Sequence, residues 1–176
     1  KERPMIIHTQ RLCLRPWSDA DAPALFELAR DPRIGMLCGW KPFELIDDAR
    51  EALSTVLVAN DSYAVTLSST GELVGSIALR VDADETATSI GNIGYWIGVP
   101  YWGNGYASEA GRAIIERAKE LGVETIILKY FDGNDASRRV SEKLGFTWRN
   151  REEGVEYPLI GKRLTVHCTE LALAAH

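Results

Sequence analysis

Gly94-Tyr95-Trp96-Ile97-Gly98-Val99-Pro100-Tyr101-Trp102-Gly103-Asn104-Gly105-Tyr106-Ala107-Ser108-Glu109-Ala110 is the stretch on which the reading of this 176-residue chain turns. Its first half lies in a run from Ile90 to Val99, rich in Ile, Tyr, Trp and Val, that reads as a strand. Its second half opens a helix. Ala107, Ala110, Gly111, Ile114, Ile115, Ala118 and Leu121 recur at helical spacing, and Gly122 stands as the C-terminal stop. Between the two, Gly103 and Gly105 permit positive φ and a close backbone approach. The first N–H groups of the helix lack intrahelical acceptors and can converge on an anion. Such a unit is either a phosphate cradle or an ordinary tight turn, and by itself it does not decide between them.

Upstream, Thr9-Gln10-Arg11-Leu12-Cys13-Leu14-Arg15-Pro16 alternates polar and apolar residues up to a proline, which predicts a half-buried strand. Ser18 and Asp21 form a loose capping box before a helix with Ala22, Leu25, Phe26, Leu28 and Ala29 on one face, ending near Asp31-Pro32. A second helix is expected from Asp47 to Asn60, then two strands, Tyr63 to Ser68 and Leu73 to Val81, as a hairpin. Residues 82–89 are small and acidic and read as a loop. Downstream, Thr125 to Tyr130 is a short strand and Asp132-Gly133-Asn134-Asp135 a turn. A helix from about Ala136 to Leu144 ends at Gly145, and strands follow from Phe146 to Arg151 and Arg163 to Leu171. The sum is one domain over residues 1–176 with a mixed α/β (α+β) sheet: antiparallel strands, a strand-helix-strand unit, then a helix and two strands.

Composition narrows the function. With 45% hydrophobic and 26% charged residues, and no apolar run near the roughly 20 residues that span a bilayer, a soluble globular protein is expected. The net charge of -5 argues against nucleic acid or an acidic membrane as partner and suits a basic target such as an amine. Cys13, Cys38 and Cys168 are few and far apart and read as packing residues; His8, His167 and His176 show no ligand spacing, so no metal is expected. Met5-Ile6-Ile7 is too short for a signal-peptide core, which predicts a cytoplasmic protein, monomer or homodimer.

Asn134-Asp135-Ala136-Ser137 forms a second constellation, placed where a strand passes into a helix. Asn134 reads alone as an N-cap and Ser137 as a first-turn residue. If the two neighbouring strands diverge at their C-terminal ends, both face the gap into which the glycine turn opens.

Taken together these residues resemble the GNAT superfamily of N-acetyltransferases, and Thr9-x-Arg11-Leu12-x-Leu14-Arg15-Pro16 is similar to its RimJ/RimL-like branch. Gly94 to Ile97 followed by Tyr101 to Ala110 is similar to the family's acyl-CoA motif, with Gly105 and Ala107 closing the Gln/Arg-x-x-Gly-x-Gly/Ala pattern and Trp102 replacing the usual Gln or Arg. Asn134-x-x-Ser137 and Glu142-Lys143-Leu144-Gly145-Phe146 are similar to its later motif. The resemblance implies a mostly antiparallel sheet splayed at a central parallel strand pair and flanked by helices, with acetyl-CoA as acyl donor. It implies that the main chain of Ile97, Gly98 and Val99 pairs with the pantetheine arm. It implies too that Trp102, Gly103, Asn104, Gly105, Tyr106, Ala107 and Ser108 surround the pyrophosphate. By the same carry-over Asn134 binds the cofactor arm and Ser137 protonates the departing thiolate, while Ser141 falls where many relatives carry a general-acid Tyr.

A family Glu often precedes the Gly-Tyr-Trp, but here the position is Asn92, and an amide is no general base. Glu85, Glu109 and Asp132 are the substitutes acting through water, each otherwise a surface charge. Arg138, Arg139 and Lys143 meet CoA phosphates or form a solvated helix face, and Ile34 to Phe43, with Trp40, is expected to line the acceptor cleft. The competing readings are an idle acyl-CoA-binding module and, from Gly103-x-Gly105 with Asp132 beyond, a dinucleotide-dependent oxidoreductase, although Ser108 occupies that fingerprint's third glycine.

Overall fold

Period-two patterning builds the sheet and period-3.6 patterning the helices that cover it. The computed structural model describes residues 5–83 and 89–173. In chain order the elements are β1 (Ile7–His8), β2 (Leu12–Pro16), α1 (Ala22–Ala29), α2 (Pro32–Cys38), α3 (Ile46–Ser54), β3 (Ser62–Leu67), β4 (Leu73–Ala83) and β5 (Ser89–Ile97). There follow α4 (Tyr106–Glu120), β6 (Thr125–Phe131), α5 (Asp135–Lys143), β7 (Thr147–Tyr157) and β8 (Lys162–Ala172). Among the described residues the strands form one sheet in the order β1-β2-β3-β4-β5-β6-β8-β7. Only β5 and β6 run parallel, which the α4 crossover allows. This is a mixed α/β sheet, mostly antiparallel with one parallel pair and flanking helices. It is not the alternating arrangement of a doubly wound dinucleotide fold.

Two apolar layers hold the sheet. Ala110, Ile114 and Ala118 of α4 pack on Leu12, Leu14, Val65, Ile77, Leu79, Ile126 and Leu128. On the other face Ala22, Leu25 and Ala29 of α1 join Ala49 and Leu53 of α3 over Ala64 and Leu73. No helix among the described residues is long and apolar enough to cross a membrane.

Local chemistry accounts for where the elements depart from expectation. The helix expected over 47–60 stops at Ser54, where the hydroxyls of Ser54 and Thr55 donate to Glu51 O at 3.0 and 2.7 Å and compete with the helical ladder; a 3-10 turn, Val56–Val58, follows. Pro32 ends α1 but also opens α2, because a proline fits the first helical turn and Asp31 caps Arg33 N–H. Thr9 to Arg11 are a turn between β1 and β2, so the first long strand starts at Leu12. β4 reaches Ala83 and β5 starts at Ser89, so both ends of the loop expected at 82–89 are strand, and residues 84–88 lie outside the described residues. β7 runs on to Tyr157, past the expected Arg151, with two register shifts against β8; its mostly exposed residues carry little apolar alternation to announce it.

Asp21 fixes the passage from β2 into α1. It is buried and accepts from both Arg15 guanidinium nitrogens, Nη1 at 2.9 Å and Nη2 at 2.7 Å, and from Ser18 N–H at 2.9 Å. Burial by itself pulls this carboxyl upward, but those donors and the guanidinium charge outweigh it and hold the pKa below its ordinary value. Stabilisation is therefore complete above the unfolded value of about 3.9 and is lost as pH falls through the lower folded value. Asp21→Asn is expected to lower stability by about 2 kcal/mol at neutral pH, a drop of roughly 4–8 °C in Tm. In a melting series the difference from the unmodified protein should shrink on acidification towards about pH 3; a constant difference would contradict the charge argument.

Candidate active site

β5 and β6 pair only from Ile90↔Thr125 to Ile93↔Leu128. Beyond that, β5 stays with β4 through Gly75↔Ile97 and β6 stays with β8 through Phe131↔Val166, so the sheet splays. Gly98 N–H donates to Val74 O at 2.8 Å, and by the alternation of an antiparallel ladder this turns the peptide groups of Ile97 away from β4 and into the gap. Gly103 and Gly105, at φ 79° and 78°, then swing the chain into α4. Gly105 offers no side chain to cap that helix, which leaves its first-turn amides available to a ligand.

A cavity of about 670 Å³ fills the splay. Ile34, Leu37 and Cys38 of α2, Tyr95 to Ile97 of β5, the turn with the start of α4, and Asn134 with the first turn of α5 form its walls. Of the residues singled out in the sequence, Ile97, Trp102, Gly103, Gly105, Tyr106, Ala107, Ser108, Asn134 and Ser137 are brought together here. Gly98, Val99 and Asn104 are not in its lining: Val99 O accepts from Trp102 N–H at 3.2 Å, and the Asn104 amide donates to Tyr101 O at 2.9 Å, closing the turn. Trp102 donates its indole N–H to Ile97 O at 2.7 Å, so one of the two gap-facing groups of Ile97 already has a partner.

Asn134 caps α5, accepting Ser137 N–H at 3.2 Å. Ser137 Oγ lies 2.8 Å from Tyr95 Oη, a contact the sequence analysis missed although Tyr95 stands in the quoted stretch. The strand alternation that puts Ile93, Tyr95 and Ile97 on one face was the available signal. Burial pushes the Tyr95 phenol above its ordinary pKa, with the Ser137 hydrogen bond opposing. Ser141 is buried and donates to Arg138 O at 2.7 Å, outside the cavity lining. Arg139 and Lys143 line the cavity, whereas Arg138 is engaged by Glu142 at 3.0 Å. Burial pushes the Cys38 thiol up to about 12, which leaves it neutral.

Structural bonds occupy two of the three carboxylates weighed as bases. Glu109 accepts from Thr9 Oγ1 at 2.6 Å, Arg11 N–H at 2.9 Å and Arg11 Nε at 2.8 Å; burial raises its pKa, but these donors prevail and hold it low. Trp148 Nε1–H donates to His167 Nδ1 at 3.0 Å, so Nε2 carries the ring proton and donates to Asp132 at 2.7 Å. Glu85 lies outside the described residues. A different carboxylate was missed: Asn92 Nδ2 donates to Asp82 Oδ2 at 3.1 Å, because β4 extends into what reads as loop. Among the described residues no group of three or more His, Cys, Asp or Glu is arranged to hold a metal.

Residues 11–147 match the family model described as an acetyltransferase (GNAT) domain. The chain belongs to the GNAT acetyltransferase family. Among curated proteins it is 30% identical over 156 residues to the uncharacterized N-acetyltransferase YoaA of Bacillus subtilis, covering 85% of each chain. The GNAT-family acetyltransferase of Bacillus anthracis superposes with a TM-score of 0.84 at 24% identity, over 96% of this chain and 98% of that one. RimL, a ribosomal L7/L12 alpha-N-protein acetyltransferase in complex with coenzyme A, superposes at 0.79 and 20% identity, over 96% and 98%.

On the α2 side of the cavity, this GNAT acetyltransferase packs Trp40 against Phe43 and Trp96, at 5.5 and 6.3 Å between ring centroids, so Trp40 backs the wall that Trp96 presents. Gly39 ends α2 at φ 82°, and a Cβ there would stand 2.7 Å from the Tyr157 ring and 3.1 Å from Phe131. Gly39→Ala should therefore cost about 2 kcal/mol, combining the backbone strain with overpacking. Urea unfolding should show this as a lower midpoint at unchanged slope; an unmoved midpoint would mean that neither the left-handed backbone nor the two rings resist the added methyl group.

Proposed function

We propose that the enzyme transfers the acetyl group of acetyl-CoA to a primary amine, either a protein α-amino group or a small-molecule amine, by direct attack of the neutral amine on the thioester. The observation that carries the reading is the uncapped start of α4 behind Gly103 and Gly105, opening on the cavity that also holds Ser137. Converging amides at a helix N-terminus suit a pyrophosphate, and positive φ at both glycines keeps side chains out of its way. Arg139 and Lys143 on the α5 wall suit the remaining phosphate charge. Ile97 N–H, directed into the splay, suits a pantetheine carbonyl. When bound, acetyl-CoA supplies an activated acyl carbon whose leaving group is a thiolate. Ser137, at the positive end of α5, is suited to receive that developing charge and protonate it. The name of RimL, with its alpha-N-protein activity and its coenzyme A complex, supports an α-amine as acceptor.

CoA should raise Tm in a concentration-dependent way, since a ligand that binds only the folded state stabilises it by mass action. Gly105→Val should remove the shift, because Val disfavours the φ of 78° and blocks backbone approach. No shift at millimolar CoA in the unmodified protein would overturn the donor assignment.

Thiol release from acetyl-CoA with a panel of amines tests the transfer itself, and CoA binding without release would leave an acyl-CoA-binding module. With an amide at Asn92, the acceptor's own pKa is expected to set the rising limb of kcat/KM against pH. An α-amino group near 7.7–8.0 keeps a useful neutral fraction at pH 7, whereas a lysine-like amine near 10.4 keeps less than about a hundredth. In a series of similarly shaped acceptors the apparent pKa should follow the acceptor. A value that stays fixed across the series would instead reveal an enzyme base, with Asp82, beside Asn92, the first residue to mutate.

A further inference from the structure

The elements on either side of the splay meet through one pair of hydroxyls. Tyr95 lies on β5 beyond its last pairing with β6, and Ser137 lies in the first turn of the helix that follows β6. Tyr95 Oη and Ser137 Oγ are 2.8 Å apart, and both residues line the cavity. A phenol, near 10, is a far stronger acid than an aliphatic hydroxyl, which resembles water at roughly 15.7. The phenol is therefore the better donor and the serine oxygen the better acceptor. With Ser137 N–H already given to Asn134, rotation of its hydroxyl is the freedom left, and a hydrogen bond from Tyr95 directs the serine proton away from the phenol.

We infer that Tyr95 is a positioning residue for acetyl transfer: its phenol holds the Ser137 hydroxyl with its proton towards the acyl sulfur and replaces that proton as Ser137 gives it up. The inference rests on the acetyl-transfer reading above. Magnitudes require a second hydroxyl. A serine protonating a thiolate near 8.5 on its own would be left as an alkoxide, about seven pK units uphill. With the phenol behind it, the residual charge comes to rest on a phenolate, a weaker base than an alkoxide, although burial raises Tyr95. In the balanced step the amine nitrogen forms the C–N bond and the C–S bond breaks, with sulfur keeping the electron pair. Sulfur takes the Ser137 proton, and Ser137 takes the Tyr95 proton. The phenolate is reprotonated from solvent, which has received the proton shed by the amine, so no net proton is gained or lost.

Tyr95→Phe removes one oxygen and keeps the ring, so the fold should survive, and a thermal melt checks this. At saturating acetyl-CoA the single-turnover rate should fall at least about tenfold, less than the roughly hundredfold low end for outright loss of a general acid because Ser137 is still present. Half-saturation by acetyl-CoA and the CoA-induced Tm shift should stay within about twofold of the unmodified values. Ser137→Ala should show a loss at least as large, and Tyr95→Phe combined with Ser137→Ala should be no slower than Ser137→Ala by more than about threefold, because the two hydroxyls act as one unit. Full turnover in Tyr95→Phe, losses that multiply in the double variant, or a defect confined to acetyl-CoA binding would each overturn the inference. Should Tyr95→Phe fail to fold, 3-fluorotyrosine at position 95 decides: it keeps the ring and the hydroxyl but is a stronger acid, so the pH profile of the single-turnover rate must shift with it, and an unshifted profile would overturn the inference. If the unmodified enzyme releases no thiol with any amine, the acetyl-transfer reading itself has failed, a result distinct from an active enzyme indifferent to Tyr95.

Discussion

Everything at the site depends on the parting of β5 from β6 after Ile93 and Leu128. Each strand keeps its outer partner, β5 with β4 and β6 with β8, so neither is unpaired on both sides and the opening forfeits hydrogen bonds along the inner edge alone. At Ile97 the freed carbonyl is taken by the Trp102 indole, and the N–H is left to a ligand. Gly75 lets the end of β5 lie close to β4, since a Cβ there would stand 2.3 Å from Trp96 O. A flat, fully paired sheet of the same strands would contain no cavity.

For the donor binding proposed above, the opening must receive an anion. Glu109 stands in the first turn of α4, where a free carboxylate would repel phosphate. Arg11 neutralises it at 2.8 Å, and the guanidinium also lies over the Tyr106 ring at 4.8 Å from the centroid, so one arginine compensates the acid and steadies the mouth of the cradle. The same contacts bind the turn before β2 to α4, which links the edge of the sheet to the helix that carries the site. Asp132 likewise serves structure, through His167 and Trp148. Glu109 and Asp132 thus hold the scaffold in place, and Asp82 stands beside Asn92 instead.

Much of the architecture was legible along the chain because the signals are short-range. Strand, glycine turn and helix over Ile90 to Leu121 are local patterns, and so are the Ser18–Asp21 cap and the Asn134 cap of α5. The segments misjudged lack such a signal or carry a double one. Pro32 both stops one helix and starts the next, Ser54 and Thr55 draw off a helix carbonyl through their side chains, and β7 shows almost only polar residues because most of it is exposed.

The sequence by itself determined the glycine turn between strand and helix and the meeting of Asn134 with Ser137, since each follows from neighbours within a few residues. Tertiary structure alone decided which groups around those motifs are free. Tyr95 and Ser137 are 42 positions apart, and Glu109 and Arg11 are 98 apart. Even Asn92 and Asp82, only ten apart, meet solely through the register of β4 on β5. A hydrogen bond depends on distance and direction to within a fraction of an ångström. Residue type announces a capacity to donate or accept, and only strand register and helix packing bring the partners within reach.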